Sequence, residues 1–344
     1  MYGGSIGAAE AYIDNLWSST NLLNVIQVFS SNIDQLNSFD SRISLWKRLL
    51  LFVLHRMHTN SVSRSKSNIA AHYDLSNAFF RLILDATMMY SSAVFPNKNT
   101  SLEEASVYKL DQVCEKLRLG PSDHLLEIGT GWGGLAVHAA RHYGCRVTTT
   151  TLSTQQYAYV DALIKKQGLE DRITLLLKDY RYLEGVYDKL VSIEMIEAVG
   201  HKYYPDYFST CNRLLKPDGL MLIQSITIAD QRYRQSLESV DFIQKYIFPG
   251  GSLPSNEVIA TSVARFTDMQ IINLEDITRH YATTLEHWRA NFLGNLEKVR
   301  ALEFNETFIR KWEYYLCYCE GGFRQRIIGT VQLLLAKPRY RDAE

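Results

Sequence analysis

The chain has 344 residues, of which 46% are hydrophobic and 22% charged, so its composition is that of a folded globular protein and excludes the disordered and collagen-like classes. Lysine plus arginine equals aspartate plus glutamate at 37 each, so no overall positive charge favours a nucleic-acid partner. No stretch approaches the about 20 apolar residues that span a bilayer, and the N-terminus lacks a signal-peptide pattern, so we expect a cytoplasmic protein.

Helical periodicity dominates the first part of the chain, where apolar residues recur at spacings of three and four up to residue 57. We predict a small helical lobe over residues 1–65. Its last predicted helix, residues 44–57, combines apolar residues with cations, which fits either a helix at a membrane surface or one packed on its neighbour. A polar linker or ordered loop follows at residues 58–68.

An amphipathic helix is predicted next. Ser101 and Glu104 have the spacing of a capping box, and the helical pattern ends at Gly120. The predicted apolar face comprises Val107, Leu110, Val113, Cys114 and Leu117.

Short apolar runs then alternate with helical segments, which predicts βαβ units and a mostly parallel sheet of the α/β class. The predicted strands are residues 124–129, 145–152, 172–180, 187–195 and 219–227. The predicted connecting helices are residues 134–142, 154–167 and 207–215. An LKPDG segment after the last of these predicts a turn. The tail from residue 230 is expected to supply a final strand and a lid.

A glycine-rich loop follows the first predicted strand, with Gly129, Gly131 and Gly133 after the acidic Glu127. Glycines here let the backbone approach a nucleotide-type ligand at the carboxyl end of the strand. The spacing differs from the dinucleotide GxGxxG, and the second strand ends at residues 149–153 without the acid typical of an NAD site. The loop resembles that of class I S-adenosylmethionine methyltransferases. A tight turn without a ligand is the alternative.

Several segments together resemble the cyclopropane fatty acid synthase family, which includes the bacterial cyclopropane-fatty-acyl-phospholipid synthases and the mycolic acid cyclopropane synthases. The most specific matches are HYDLSN, YIFPGGSLPS and WEYYLCYCEGGF, and the resemblance covers nearly the whole chain. It implies a Rossmann-like class I methyltransferase sheet over residues 66–344, with a C-terminal helical or lid insertion. By this resemblance the chain begins inside the helical lobe of full-length bacterial members, so we expect a shortened or naturally shorter variant.

The resemblance also implies the reaction, in which S-adenosylmethionine methylates the cis double bond of an unsaturated phospholipid acyl chain and a base closes a cyclopropane ring. The 21 tyrosines and 14 phenylalanines suit this chemistry, because aromatic faces stabilise a carbocation and a dry pocket protects it from water. A methyl- or methylene-branched product is the first alternative. A non-catalytic lipid- or cofactor-binding protein and a small-molecule methyltransferase are further alternatives.

In the family the base is a bicarbonate ion held by a Cys, a Glu, a His, a backbone group and a Tyr. Glu197, the backbone of Ile226 and Tyr281 keep their positions here, whereas Ser92 replaces the Cys and Gln224 replaces the His. Both replacements can donate to an anion, so bicarbonate remains a possible cofactor. The cofactor-binding residues that the resemblance implies are Tyr90, Ser91, Glu127, Gly129, Gly131, Gly133, Thr151, Gln156, Tyr180 and Arg181.

The expected partners follow from this substrate. Phospholipid acyl chains at the membrane surface imply a protein that associates peripherally with the inner membrane, and the family suggests a homodimer. The five cysteines show no zinc-ligand spacing, and we predict no metal site.

Overall fold

A computed structural model describes residues 4–32 and 76–341. The predicted helix at residues 44–57 and the polar segment at residues 58–68 lie outside the described residues. None of the helices in the described ranges is both long and apolar enough to cross a bilayer.

Seven strands of the described chain form one sheet in the order β3-β2-β1-β4-β5-β7-β6. They are β1 (His124–Ile128), β2 (Arg146–Thr151), β3 (Ile173–Leu177), β4 (Tyr187–Ile193), β5 (Leu215–Ile228), β6 (Gln270–Asp276) and β7 (Ile328–Ala336). Strands β1 to β5 pair in parallel, whereas β7 is antiparallel to both β5 and β6. The predicted α/β class is confirmed, and the carboxyl ends of the parallel strands share the edge where ligands bind in such sheets.

Helices precede, connect and follow the strands. They are α1 (Gly4–Ile13), α2 (Leu22–Ser31), α3 (Asn77–Phe80), α4 (Leu102–Lys116), α5 (Gly134–His138), α6 (Thr154–Gln167), α7 (Tyr204–Leu214), α8 (Asp230–Leu237), α9 (Phe242–Tyr246), α10 (Asn256–Phe266), α11 (Thr278–Gly294), α12 (Leu296–Ala301) and α13 (Glu306–Arg324). Alternate residues of β1 point to different hydrophobic clusters, Leu125 to one and Leu126 to the other, so both faces of the sheet are covered.

Helix α4 begins as the sequence predicts but buries a different face. Ser101 and Glu104 form the capping box, in which each side chain accepts a hydrogen bond from the backbone N–H of the other residue. Val107, predicted to be buried, is 36% exposed, whereas Lys109 is fully buried. The prediction was wrong at these positions because the Lys109 ammonium donates to the Ser91 hydroxyl (3.1 Å) and is attracted by the carboxylates of Glu194, Asp85 and Glu127.

The LKPDG segment is part of β5 rather than a turn. The register shifts between the pairs Tyr187–Leu215 and Lys189–Leu220, so a bulge absorbs the extra residues. The backbone N–H groups of Lys337 and Arg339 donate to carbonyls within the segment. The predicted turn was therefore wrong, because neighbouring backbone on both sides pairs with the segment.

The described part of the N-terminal lobe shares its core with the C-terminal helices. Helices α1 and α2 pack against α13, and Tyr12 and Ile26 belong to the same buried cluster as Trp312. A Cβ atom at Gly321 of α13 would lie only 2.6 Å from the Ile26 side chain, so glycine permits this close contact. The boundary at residue 65 remains a prediction.

Candidate active site

The loop after β1 adopts backbone conformations that favour glycine. Gly129, Gly131 and Gly133 have φ angles of +100°, +52° and +83°, which side chains with a Cβ rarely adopt. At Gly131 a Cβ atom would meet nothing within 4 Å. The loop therefore presents bare backbone to open space at the carboxyl end of β1, beside the start of α5.

A cavity opens at this loop, and most of the predicted cofactor-binding residues line it. Its walls come from the loop, the ends of β2, β3 and β4, and the segment before α4. The predicted residues that line it are Tyr90, Ser91, Glu127, Gly129, Gly131, Thr151, Gln156, Tyr180 and Arg181. Gly133 does not line the cavity; it lies at the N-cap of α5, where its left-handed backbone turns the chain into the helix.

Polar side chains at the rim are held by their neighbours. The Thr151 hydroxyl donates to the Gln156 side chain (2.8 Å), and Gln156 is buried. Asp179 forms a two-point ion pair with Arg181, at 2.9 Å to Nε and 2.6 Å to the terminal nitrogen. These pairs fix the side chains before any ligand binds, which lowers the entropic cost of binding.

The wall near α4 holds a buried cation and a buried acid. Burial raises the pKa of Glu127 to about 8, and a hydrogen bond from Thr149 (2.6 Å) and the charge of Lys109 oppose that rise. Burial likewise lowers the pKa of Lys109 to about 8, whereas Glu194, Asp85 and Glu127 oppose the fall. The sequence prediction missed Lys109, because a single lysine within a helical pattern looks like a solvated residue.

A second carboxylate, Glu194, follows β4, is partly buried and lines the same cavity. Its Oε1 accepts from the backbone N–H of Ser92 (2.9 Å) and from the Gln224 amide (2.8 Å), and its Oε2 accepts from the Tyr281 hydroxyl (2.7 Å). Gln332 donates to the Gln224 carbonyl oxygen (2.9 Å) and thereby orients the amide. These three residues, predicted to donate hydrogen bonds to a bound bicarbonate, thus donate to the Glu194 side chain instead.

Glu197 lies one turn further along and does not line the cavity. Its Oε1 accepts from the Ser225 hydroxyl (2.9 Å) and the Ile226 backbone N–H, while Oε2 is buried without a hydrogen-bond partner among the described residues. Burial, and secondly the Glu194 carboxylate, raise the pKa of Glu197 to about 8. Burial therefore favours the neutral form of Glu197, and its own hydrogen bonds from Ser225 and Ile226 oppose that effect.

The donor set does not fit a bound bicarbonate. Ser92 offers its backbone N–H to Glu194 and turns its hydroxyl to the Ala93 carbonyl (2.9 Å). Gln224 and Tyr281 donate to Glu194, and Ile226 donates to Glu197. A further anion would find its predicted donors engaged and a buried negative charge beside it. The expected bicarbonate site is thus already filled by carboxylates of the chain.

The same cavity does fit S-adenosylmethionine. That molecule carries an ammonium and a sulfonium cation together with ribose hydroxyls and an adenine ring. The carboxyl group of Glu127, the backbone at Gly129 and Gly131, and the polar side chain of Gln156 offer groups of matching kind around one cavity.

Aromatic rings continue from the cavity to the carboxylate cluster. Tyr90 lines the cavity and stacks on Trp288, with ring centroids 5.2 Å apart. Trp288 meets the ring of Tyr281 edge-on at 6.1 Å, and Tyr281 stacks on Phe323 at 4.4 Å. The Tyr90 hydroxyl also hydrogen-bonds to that of Tyr315 (2.8 Å). The aromatic surplus of the sequence is thus partly concentrated beside Glu194.

Sequence reasoning placed the acid of this motif at Glu197 and missed Glu194. Both lie in the SIEMIEAVGH segment, and matching to the family selects only the later glutamate. Its position in the sequence could have identified Glu194, because it directly follows the end of β4 and ligands bind at the carboxyl ends of parallel strands.

Known proteins resemble this chain over most of its length. A family model described as mycolic acid cyclopropane synthetase matches residues 60–333. A tuberculostearic acid methyltransferase of Mycobacterium tuberculosis is 36% identical over 342 residues, which cover 97% of this chain and 79% of that protein. A cyclopropane-fatty-acyl-phospholipid synthase of Escherichia coli K12 is 35% identical over 336 residues, covering 97% and 84%. The solved structure of the mycolic acid cyclopropane synthase CmaA1, complexed with SAH and CTAB, superposes with a TM-score of 0.74 at 33% identity, covering 79% and 98%.

Proposed function

The chain belongs to the mycolic acid cyclopropane synthetase family, and from that premise we propose that it methylates the cis double bond of unsaturated phospholipid acyl chains to form cyclopropane fatty acids. The protein is an enzyme, a methyltransferase dependent on S-adenosylmethionine, so the predicted enzyme is confirmed and the alternative of a non-catalytic lipid- or cofactor-binding protein is excluded. What we propose beyond this activity is the acyl substrate and the cyclopropane product.

One observation carries the proposal. The cavity at the glycine loop shares a wall with the partly buried carboxylate of Glu194 and a continuous set of aromatic rings. A methyl donor held at that wall lies next to groups that stabilise positive charge and accept a proton. An enzyme that methylates an oxygen or nitrogen atom does not need to stabilise a carbocation, so this combination favours an alkene as the acceptor.

The residues of the chain have distinct tasks in this reaction. S-adenosylmethionine, when bound, supplies an electrophilic methyl group. Glu127, Gly129, Gly131 and Gln156 hold the donor, and the buried Trp288 and the partly buried Tyr90 keep water from the acyl chain. As the π electron pair bonds to the methyl carbon, the neighbouring alkene carbon becomes cationic, and the aromatic faces stabilise it. No step is routed through bicarbonate, because its predicted donors already bind Glu194 and Glu197.

A branched product is the second candidate. It is favoured by the similarity to a tuberculostearic acid methyltransferase over 97% of this chain. In that case a hydride shift moves the positive charge to the methylated carbon before a proton is lost from the methyl group. The product is an open chain that carries a methylene branch instead of a ring. Both products contain one added carbon, so mass alone does not separate them.

The location of the enzyme follows from its proposed substrate. Phospholipid acyl chains are accessible only at a bilayer, so we propose a protein that binds peripherally to the cytoplasmic side of the inner membrane and acts as a homodimer. Co-sedimentation with vesicles of unsaturated anionic and neutral phospholipids tests membrane binding. Light scattering of the protein as it elutes from a size-exclusion column tests the homodimer.

Expression of the chain in a bacterium that makes monounsaturated phospholipids but no cyclopropane fatty acids distinguishes the cyclopropane product from the branched one. We expect the extracted acyl chains to gain one carbon and to show the upfield proton resonances of a cyclopropane ring. Vinylic methylene or doublet methyl resonances in place of ring resonances would support the branched product. Lipids without an added carbon would contradict both candidates.

A further inference from the structure

We propose that Glu194 is the general base of the reaction, a carboxylate built into the chain that takes the proton from the newly added methyl group without the help of a bound bicarbonate. This inference rests on the proposed function and adds the identity of the proton acceptor. Glu194 lines the cavity in which the methyl donor binds, so its carboxylate faces the reacting atoms.

The first support is the hydrogen bonding of Glu194. Three donors from three separate parts of the chain, Ser92, Gln224 and Tyr281, converge on its two oxygens at 2.7 to 2.9 Å. Donors of this number hold a carboxylate in one orientation and favour its ionised form. A purely structural buried glutamate would have no need to face the cofactor cavity.

The second support is the backbone of Glu194. Its φ angle is +49°, in the left-handed region that a residue with a Cβ rarely adopts. The conformation is held by the hydrogen bond from its N–H to the Gln224 carbonyl (2.7 Å). A strained backbone at a ligand-facing position is typical of a residue retained for function.

The third support is charge. Burial raises the pKa of Glu194, while the three donors and the buried Lys109 ammonium oppose that rise. The three donors and the Lys109 ammonium thus favour the carboxylate form of Glu194 beside the aromatic wall. A carboxylate in that place also attracts the cation that forms on the acyl chain.

The proton transfer balances in atoms and charge. A C–H bond of the added methyl group breaks, its proton moves to a Glu194 oxygen, and its electron pair forms the carbon–carbon bond to the cationic carbon. The ring closes, the acyl chain becomes neutral and Glu194 becomes a carboxylic acid. Tyr281, which donates to Oε2, lies where a hydroxyl can relay the proton away.

The test uses purified full-length protein, S-adenosylmethionine labelled in the methyl group and vesicles of a cis-monounsaturated phosphatidylethanolamine, in buffer freed of carbon dioxide. We expect wild-type turnover to be unchanged, within about twofold, when millimolar bicarbonate is added. Glu194→Gln should reduce turnover by about 100-fold or more, the range for a positioned acid–base group, with cofactor affinity measured by calorimetry unchanged.

A glycine variant keeps the test independent of folding. Glu194→Gly should fold, because glycine adopts this backbone conformation without strain, and it vacates the carboxylate position. We expect added formate or bicarbonate to restore its turnover at least tenfold. The matched control is Glu303→Gly, an exposed glutamate that also has a positive φ, of +66°, and does not line the cavity. It should keep wild-type turnover.

Three results would overturn the assignment: wild-type turnover that requires bicarbonate, Glu194→Gln turnover within threefold of wild type, or a folded, cofactor-binding Glu194→Gly variant that no small carboxylate restores. A different result, in which the wild-type protein transfers no label to lipid at all, would reject the proposed function itself.

Discussion

At the scale of single residues, buried charge decides how this site works. Lys109 forms no ion pair with any residue that the structure describes, yet its ammonium is fully buried and faces the carboxylates of Glu194, Glu127 and Asp85. It offsets negative charge in a place from which water is excluded. Neither its burial nor the convergence of donors on Glu194 is visible in the sequence, because both arise from residues far apart in the chain.

Lys109→Met tests this electrostatic role. Loss of the ammonium should raise the pKa of Glu194, because the charge of Lys109 opposes the rise that burial causes, and a smaller fraction of Glu194 is then ionised at a given pH. We expect turnover at pH 7 to fall about tenfold and the acid limb of the pH–rate profile to move to higher pH. The exposed Lys98→Met variant is the matched control, and coincident profiles for the two variants would contradict the role of Lys109.

Glu197→Gln tests the protonation state of the second acid. A carboxyl whose pKa rises from 4.5 to about 8 on folding contributes stability that is fully present below pH 4.5 and is lost as the pH rises through 8. Glutamine cannot ionise. The variant should therefore gain stability relative to wild type as the pH increases from about 5 to about 9.

Urea unfolding across this pH range measures the effect, with the exposed Glu170→Gln as control. A stability difference between Glu197→Gln and wild type that does not change with pH would mean that Glu197 is already ionised in the folded protein.

At the scale of elements, local patterns predicted most of the strand and helix positions. Helix α6 (Thr154–Gln167) has the predicted limits, and the capping box of α4 forms. Errors occur where tertiary pairing overrides a local signal. Proline and glycine at residues 217 and 219 predict a turn, but a bulge and backbone hydrogen bonds keep the segment in β5. Strand β6 was missed because most of its residues are exposed, which leaves no alternating pattern.

The contact between α2 and α13 gives a prediction at this scale. In Gly321→Ala the new Cβ atom would lie 2.6 Å from the Ile26 side chain, so α2 must shift. Overpacking of this kind typically costs about 1 to 3 kcal/mol. Gly294→Ala is the control, because its Cβ atom would meet nothing within 4 Å. Urea unfolding should show Gly321→Ala to be the less stable variant; equal stability would contradict the close contact.

At the scale of the whole molecule, the fold brings distant segments to one edge of the sheet. Ser92 precedes the sheet, Gln224 is on β5 and Tyr281 is on α11, yet all three bind one carboxylate. The resemblance to a family predicted that these residues meet. It could not predict what they bind, because a match of motifs does not show that a nearby side chain already fills the site.

The fate of the methyl hydrogens tests the central claim most directly, namely that an alkene carbon of a lipid is methylated and a proton of the added methyl group is then removed. Purified protein is given S-adenosylmethionine with a trideuterated methyl group and vesicles of a cis-monounsaturated phospholipid, and the acyl chains are analysed by mass spectrometry. We predict that each added carbon retains two deuterium atoms and loses the third. Added carbons that keep all three, or label found only on head-group oxygen or nitrogen atoms, would contradict the account.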